Sequence, residues 1–232
     1  MLLHGWGCSG KTMEPLAQYL SYRFRAITFD FPGHGETPEP DVPWSVTEYA
    51  DFTVKLIEKL GIAPCHVIAH SFGCRVAILL SANRPELVGK LLMTGAAGLI
   101  KKRTLKYYVK VYAYKLGKRL AKIGPLDRML GLSKKARNAG SEDYRALSDN
   151  MKGTFVRVVN QNLFEFLGKI RSETLLVWGG ADTETPLEFG RIMKREIPDS
   201  ALVVFDGAGH FAFLEQFPRF CAVCKYFLEG AV

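Results

Sequence analysis

Short runs of β-branched and other apolar residues alternate along this chain with segments whose apolar residues recur every three to four positions. These two periods separate buried strands from amphipathic helices. Met1 to Leu3 reads as a stub of strand, Lys11 to Tyr22 as a helix and Phe24 to Phe31 as a strand. Ser45 opens the next helix because Ser45-x-x-Glu48 is a capping box, with Trp44 placed to staple onto Tyr49, and the apolar stripe continues to about Leu60. Val67 to Ala69 end another strand, Phe72 to Asn83 make a helix, and Lys90 to Thr94 a strand. After a long charged interval come a strand at Thr174 to Trp178, a helix from Leu187 to Ile197, a strand at Ala201 to Phe205, and a closing helix from about Glu215 to Leu228. Strand and helix taking turns in this way predicts an α/β fold, a mainly parallel, doubly wound sheet with helices on both faces.

Candidate chemistry sits where these strands end. In CHVIAHSFGCRVAIL an apolar run meets a small-x-Ser-x-Gly turn and a helix follows at once. A turn of that kind holds its serine in a strained conformation between strand and helix, so the residues two before and two after must be small; here they are Ala69 and Gly73 around Ser71. Downstream, TLLVWGGADTETP carries Asp182 after a strand, and ALVVFDGAGHF carries His210 after the next. The chain order serine, acid, histidine is the one a nucleophile–acid–base triad needs on such a sheet. Glu184 and Asp206 are weaker candidates for the acid, and His34 and His70 read as structural or pocket-lining. Upstream, LLHGWG places His4 and Gly5 in a Gly-rich turn, and the backbone N–H groups of Trp6 and of Phe72, the residue after the serine, are the expected oxyanion donors.

On these stretches, together with DFPGHGET at Asp30 to Thr37, the chain resembles the α/β-hydrolase superfamily over nearly its whole length. The resemblance implies a serine hydrolase that cleaves a carboxylic ester or related acyl compound through an acyl-enzyme, with no metal or cofactor. A thioester or carbon–carbon bond stays open, as does a receptor on the same fold that binds a small molecule without turning it over. Relatives carry about two more strands before the oxyanion turn. The sheet is therefore expected to lack its usual first two strands and to leave Phe24 to Phe31 as an apolar edge.

One motif competes. Gly5 to Thr12 reads GWGCSGKT and satisfies the phosphate-cradling pattern G-x-x-x-x-G-K-[ST], with a D-x-x-G string following at Asp30. A nucleotide hydrolase would, however, leave Ser71, Asp182 and His210 unexplained, and no N-K-x-D string accompanies the motif.

Charge divides the chain. Of its 31 Lys and Arg and 23 Asp and Glu, residues 101–152 hold 15 and 4, a net of +11, which leaves the remainder at −3. The resemblance implies a lid inserted between the Thr94 strand and the Asp182 strand, so residues 1–98 and 172–232 are expected to form the hydrolase core, and 99–171 a basic helical lid. Within the lid Leu105, Tyr108, Val109, Tyr112, Leu116 and Leu120 share one helical face, with Lys102, Lys106, Lys110, Lys118 and Lys122 on another. Such a helix has three readings: an apolar underside beneath a solvated Lys face, a surface attracting an acidic substrate or acyl-carrier partner, or contact with a membrane surface, the last not favoured. No nucleic-acid-binding motif accompanies the charge. Without a basic leader or a run of ~20 apolar residues, a soluble cytoplasmic protein is expected. The five cysteines fit reduced thiols, and Cys221-x-x-Cys224 reads as two buried residues on the last helix rather than a metal site.

Overall fold

Successive strand residues point to opposite faces of a sheet, and here the two faces fill two separate cores. The computed structural model describes residues 1–100, 112, 144 and 146–230. Strands β1 (Leu2–Leu3), β2 (Cys65–His70), β3 (Val88–Thr94), β4 (Glu173–Gly179) and β5 (Ser200–Phe205) form one sheet in that order, every pair parallel. Leu3, Ala69, Met93 and Leu176 face one core, while Leu2, Ile68, Leu92 and Val177 face the other. The register that aligns them pairs Leu3 with Ala69, Ala69 with Met93, and Met93 with Leu176. A one-residue slip would exchange the two faces.

Helices cover both sides. Against the first face pack α2 (Val46–Leu60), α3 (Phe72–Asn83) and α6 (Leu187–Glu196); against the second pack α1 (Glu14–Leu20), α7 (Ala212–Glu215) and α8 (Phe217–Glu229). The start of α2 follows from its sequence: the Ser45 N–H donates to Glu48 Oε2 (2.6 Å), the Thr47 N–H donates to Ser45 Oγ (3.2 Å), and the Trp44 ring meets Tyr49 edge to face at 5.1 Å. Cys221 and Cys224 are both buried on α8.

Two expected elements differ. The strand at Phe24 to Phe31 reduces to a bridge between Thr28 and Leu2. Side chains take the place of a ladder: the Phe31 N–H donates to His4 Nε2 (3.1 Å), and the Asp30 carboxylate accepts from the Gly10 N–H (2.6 Å) and the Glu36 N–H (2.8 Å). The helix expected from Lys11 to Tyr22 divides into a 3-10 turn, Gly10–Met13, and α1, which restarts at Glu14 with Pro15 in its first turn. The closing helix is found close to its expected bounds as α8, and a short helical turn, α7, precedes it and ends at Gln216, ahead of Pro218, which has no N–H to continue that turn.

Of the segment expected to form the lid, the described part holds α4 (Asp149–Asn160) and α5 (Phe164–Leu167). Val158, Leu163, Leu167 and Ile170 join the first core. Side chains tie this part to α2 and α3: Thr154 Oγ1 accepts from the Trp44 N–H (3.0 Å), Gln161 Oε1 from the Val46 N–H (2.9 Å), and Arg75 donates to the Gln161 carbonyl (2.9 Å). The amphipathic face expected at Leu105 to Leu120 and its lysines lie outside the described residues, except Tyr112, which is exposed. Among the described residues no helix is long and apolar enough to cross a membrane.

Candidate active site

Ser71 joins β2 to α3 at φ 48° and ψ −107°, the one positive φ outside glycine among the described residues. A side chain held there costs about 1–3 kcal/mol, which the surrounding contacts must supply. They do so with backbone bonds: the Ser71 N–H donates to the Thr94 carbonyl (3.1 Å), and the Ser71 carbonyl accepts from Cys74 (3.1 Å) and Ala97 (3.3 Å).

The loops after β4 and β5 bring two further side chains to it. His210 Nε2 lies 2.9 Å from Ser71 Oγ, and His210 Nδ1 lies 2.8 Å from Asp182 Oδ2. An ionised carboxylate only accepts, so Nδ1 carries the proton and Nε2 is left to accept from the serine hydroxyl. The carboxylate is oriented in turn: Oδ1 accepts from the Glu184 and Thr185 N–H groups (both 2.9 Å), and Oδ2 accepts from the Thr185 hydroxyl (2.8 Å). Burial works against ionisation of Asp182, but the bonds from His210 and Thr185 outweigh it and hold its pKa below the ordinary value. The Asp182 side chain has no exposed surface, and that of His210 is 7 % exposed.

The turn after β1 completes the surroundings. A methyl group on Gly5 would touch the His70 ring at 3.0 Å and lie 3.5 Å from Ser71 Cβ, so glycine lets this turn approach the serine. His4 braces the turn: its Nδ1 donates to the Gly5 carbonyl (2.7 Å) and its Nε2 accepts from Phe31, while burial lowers its pKa. Neither the Trp6 nor the Phe72 N–H has a hydrogen-bond partner among the described residues. A cavity of about 400 Å³ opens beside them, bounded by Trp6, Ser71, Phe155, Glu184, His210 and Phe211 among others. Another, of about 320 Å³, lies at the opposite, N-terminal ends of β1 and β2, far from these groups.

The remaining candidates fall as follows. His70 is buried beneath His210, its ring centroid 4.9 Å away, and Nδ1 donates to the Thr94 carbonyl (3.2 Å). Burial and the nearby His210 push its pKa down to about 3. His34 stacks on Phe72 at 5.8 Å, and burial lowers it to about 4. Glu184 approaches His210 from the Nε2 side (3.5 Å), so it does not stand in for Asp182. Asp206 is exposed, and its carbonyl accepts from Gln216. Thr185, unremarked in the sequence pattern, is the missed member. Its only signal is its place three residues after Asp182 in a tight polar turn.

The geometry of Gly5 to Thr12 does not fit a phosphate cradle. Three of its amides are already occupied: the Gly10 N–H donates to Asp30, the Cys8 N–H to the Gly5 carbonyl (3.2 Å) and the Thr12 N–H to the Ser9 carbonyl (3.0 Å). Lys11 is 74 % exposed and pairs with Glu36 at 3.4 Å.

Comparison with known proteins agrees with this architecture. A pimeloyl-[acyl-carrier protein] methyl ester esterase of Neisseria meningitidis serogroup B is 28% identical over 251 residues, covering 100% of this chain and 93% of that one. A 2-hydroxy-6-oxononadienedioate/2-hydroxy-6-oxononatrienedioate hydrolase of Pseudomonas putida is 28% identical over 250 residues, covering 97% and 83%. The crystal structure of a hydrolase from Pseudomonas aeruginosa superposes with a TM-score of 0.75 at 19% identity, over 99% of this chain and 89% of that one. The sequence profile of the Alpha/beta hydrolase family matches residues 1–223, from β1 through the His210 loop and into α8, and the chain belongs to that family.

Proposed function

We propose that this protein is a serine hydrolase that cleaves a carboxylic ester through an acyl-enzyme on Ser71. The observation that carries the reading is the unbroken hydrogen-bonded line from Asp182 through His210 to a strained serine, beside two N–H groups with no partner among the described residues. In the reaction Ser71 Oγ bonds to the substrate carbonyl carbon as its proton passes to His210 Nε2. Asp182 stabilises the imidazolium, and the Trp6 and Phe72 N–H groups receive the oxyanion at the positive end of α3. Collapse of the oxyanion breaks the bond to the leaving alcohol, which takes the proton from Nε2. Water then repeats the sequence and releases the acid.

Several observations support an ester of modest size as substrate. The relative from Neisseria meningitidis is named a methyl ester esterase, and a cavity of about 400 Å³ lies in the range of small-molecule sites. Segment 99–171 serves in this reading as the lid, of which Leu147 and Phe155 line the cavity. An acidic substrate drawn by the basic segment would have to keep its charge away from Glu184.

The test is a fluorophosphonate probe together with hydrolysis of 4-nitrophenyl butyrate. The probe is expected to label Ser71 at one per chain, and Ser71→Ala and His210→Ala each to lower hydrolysis by at least about 1,000-fold. Asp182→Asn lowers it less. Activity retained in Ser71→Ala overturns the reading, and labelling without turnover on any ester would make the protein a receptor.

A further inference from the structure

The cavity beside Ser71 is walled by rings more than by alkyl groups. Trp6 and Phe155 meet edge to face with centroids 5.3 Å apart, Tyr144 stands 5.6 Å from Phe155, and Phe211 also lines the cavity, 5.6 Å from the His210 ring. Each ring presents a negative π-face. One carboxylate lines the same space: Glu184, with Oε2 3.5 Å from His210 Nε2, while no Lys or Arg is among the described lining residues.

Glu184 is placed there by the turn that orients Asp182. Its N–H donates to Asp182 Oδ1 (2.9 Å), so the backbone from which its side chain leaves is set by the buried carboxylate. Asp182 occupies the Nδ1 side of the imidazole and Glu184 the Nε2 side. Nε2 is the atom that returns the proton to the departing alcohol, so in the proposed reaction the alcohol leaves past Glu184.

A carboxylate and several aromatic rings lining one cavity are the chemistry that receives an organic cation. Building on the Ser71 mechanism, we infer that this cavity selects esters whose leaving alcohol carries a quaternary or protonated amine, held between Glu184 and the Trp6–Phe155–Tyr144 wall.

The experiment compares butyrylcholine with 3,3-dimethylbutyl butyrate, which has the same shape and no charge. A cation over exposed rings and an exposed ion pair each favour binding by a few-fold. Together they predict a kcat/KM about tenfold higher for the cationic ester. Glu184→Gln is expected to cut that ratio about threefold and to remove most of its dependence on added salt. Phe155→Leu, which keeps an apolar side chain and removes the ring, is expected to cut it independently. Equal rates on the two esters, or a ratio untouched by either substitution, overturn the inference while Ser71-dependent turnover leaves the mechanism standing. Turnover of both esters that survives Ser71→Ala, or none at all, overturns the mechanism and the inference together.

Discussion

A methyl group on Gly73 would lie 2.5 Å from the carbonyl oxygen of Leu3 and 2.8 Å from its carbonyl carbon. The obstacle is backbone, which cannot swing aside as a flexible side chain would. Gly73→Ala must therefore lift α3 from β1, and with it Ser71 and the Phe72 N–H. Overpacking of this kind typically costs about 1–3 kcal/mol. Urea unfolding is expected to show a loss in that range, with ester hydrolysis down more than about tenfold. Wild-type stability and rate in Gly73→Ala would show that the helix has room to shift.

Much of this architecture was legible because its causes are local. The helix at Phe72 to Asn83 has the expected bounds, since Ser71 breaks from the strand and Arg84-Pro85 ends the helical run. Ser45 and Glu48 cap α2 from three residues apart. The spacing and order of Ser71, Asp182 and His210 were visible because each follows a strong apolar strand. What could not be read depends on distant partners. The apolar run at Phe24 to Phe31 looks like a strand, yet His4 and Asp30 take up hydrogen bonds there through side chains, and only Thr28 bridges to β1. The Trp6–Phe155 contact joins residues far apart in the chain, and no sequence period announces it.

Thr185 offers a test of how far Asp182 depends on its support. Its hydroxyl donates to Asp182 Oδ2 and lies 3.3 Å from His210 Nδ1. A hydrogen bond to a charged group is worth about 1.5–3 kcal/mol. Thr185→Val keeps the shape and the N–H bond but removes the hydroxyl, so Asp182 loses part of what holds its pKa down. Its ionised form stabilises the fold above the unfolded-state pKa of about 3.9, and that contribution is lost as pH falls through the lower folded value. In Thr185→Val that loss is expected to be smaller and to be complete at a higher pH, with kcat down about tenfold at pH 7. Thr185→Ser should restore both; a serine variant as impaired as the valine one would assign the effect to packing.

Acid should unfold this protein from well above the carboxylate range. His70 and His34 are buried with pKa values lowered to about 3 and about 4, whereas an unfolded chain binds a proton on each near 6.5. The neutral forms therefore stabilise the fold in full above about pH 6.5, and that stability drains as pH falls toward the folded values. Each histidine contributes a slope of about 1.4 kcal/mol per pH unit below the unfolded pKa. Urea unfolding between pH 6 and pH 4 is expected to show His70→Gln with a slope shallower by about that amount, whatever its absolute stability. Parallel slopes for the two proteins would mean that His70 carries its proton in the folded state.

Lys11 decides between the two motifs that overlap at the first turn. In a phosphate cradle this lysine would reach the β- and γ-phosphates, and Lys11→Ala would abolish binding. Here its ammonium is 74 % exposed and meets only Glu36, itself 85 % exposed, at 3.4 Å. Such surface pairs contribute between nothing and about 1 kcal/mol. The amide of Gly10, which a phosphate would need, already serves Asp30 at 2.6 Å. Lys11→Ala is expected to change ester hydrolysis by less than about twofold and the unfolding free energy by no more than about 0.5 kcal/mol. Asp30→Ala should do far more, because it frees the Gly10 and Glu36 amides and unties the segment that stands in for an edge strand. Calorimetry of the unmutated protein with ATP or GTP and Mg²⁺ is expected to show no heat of binding. Micromolar nucleotide binding that disappears in Lys11→Ala would return the cradle to consideration.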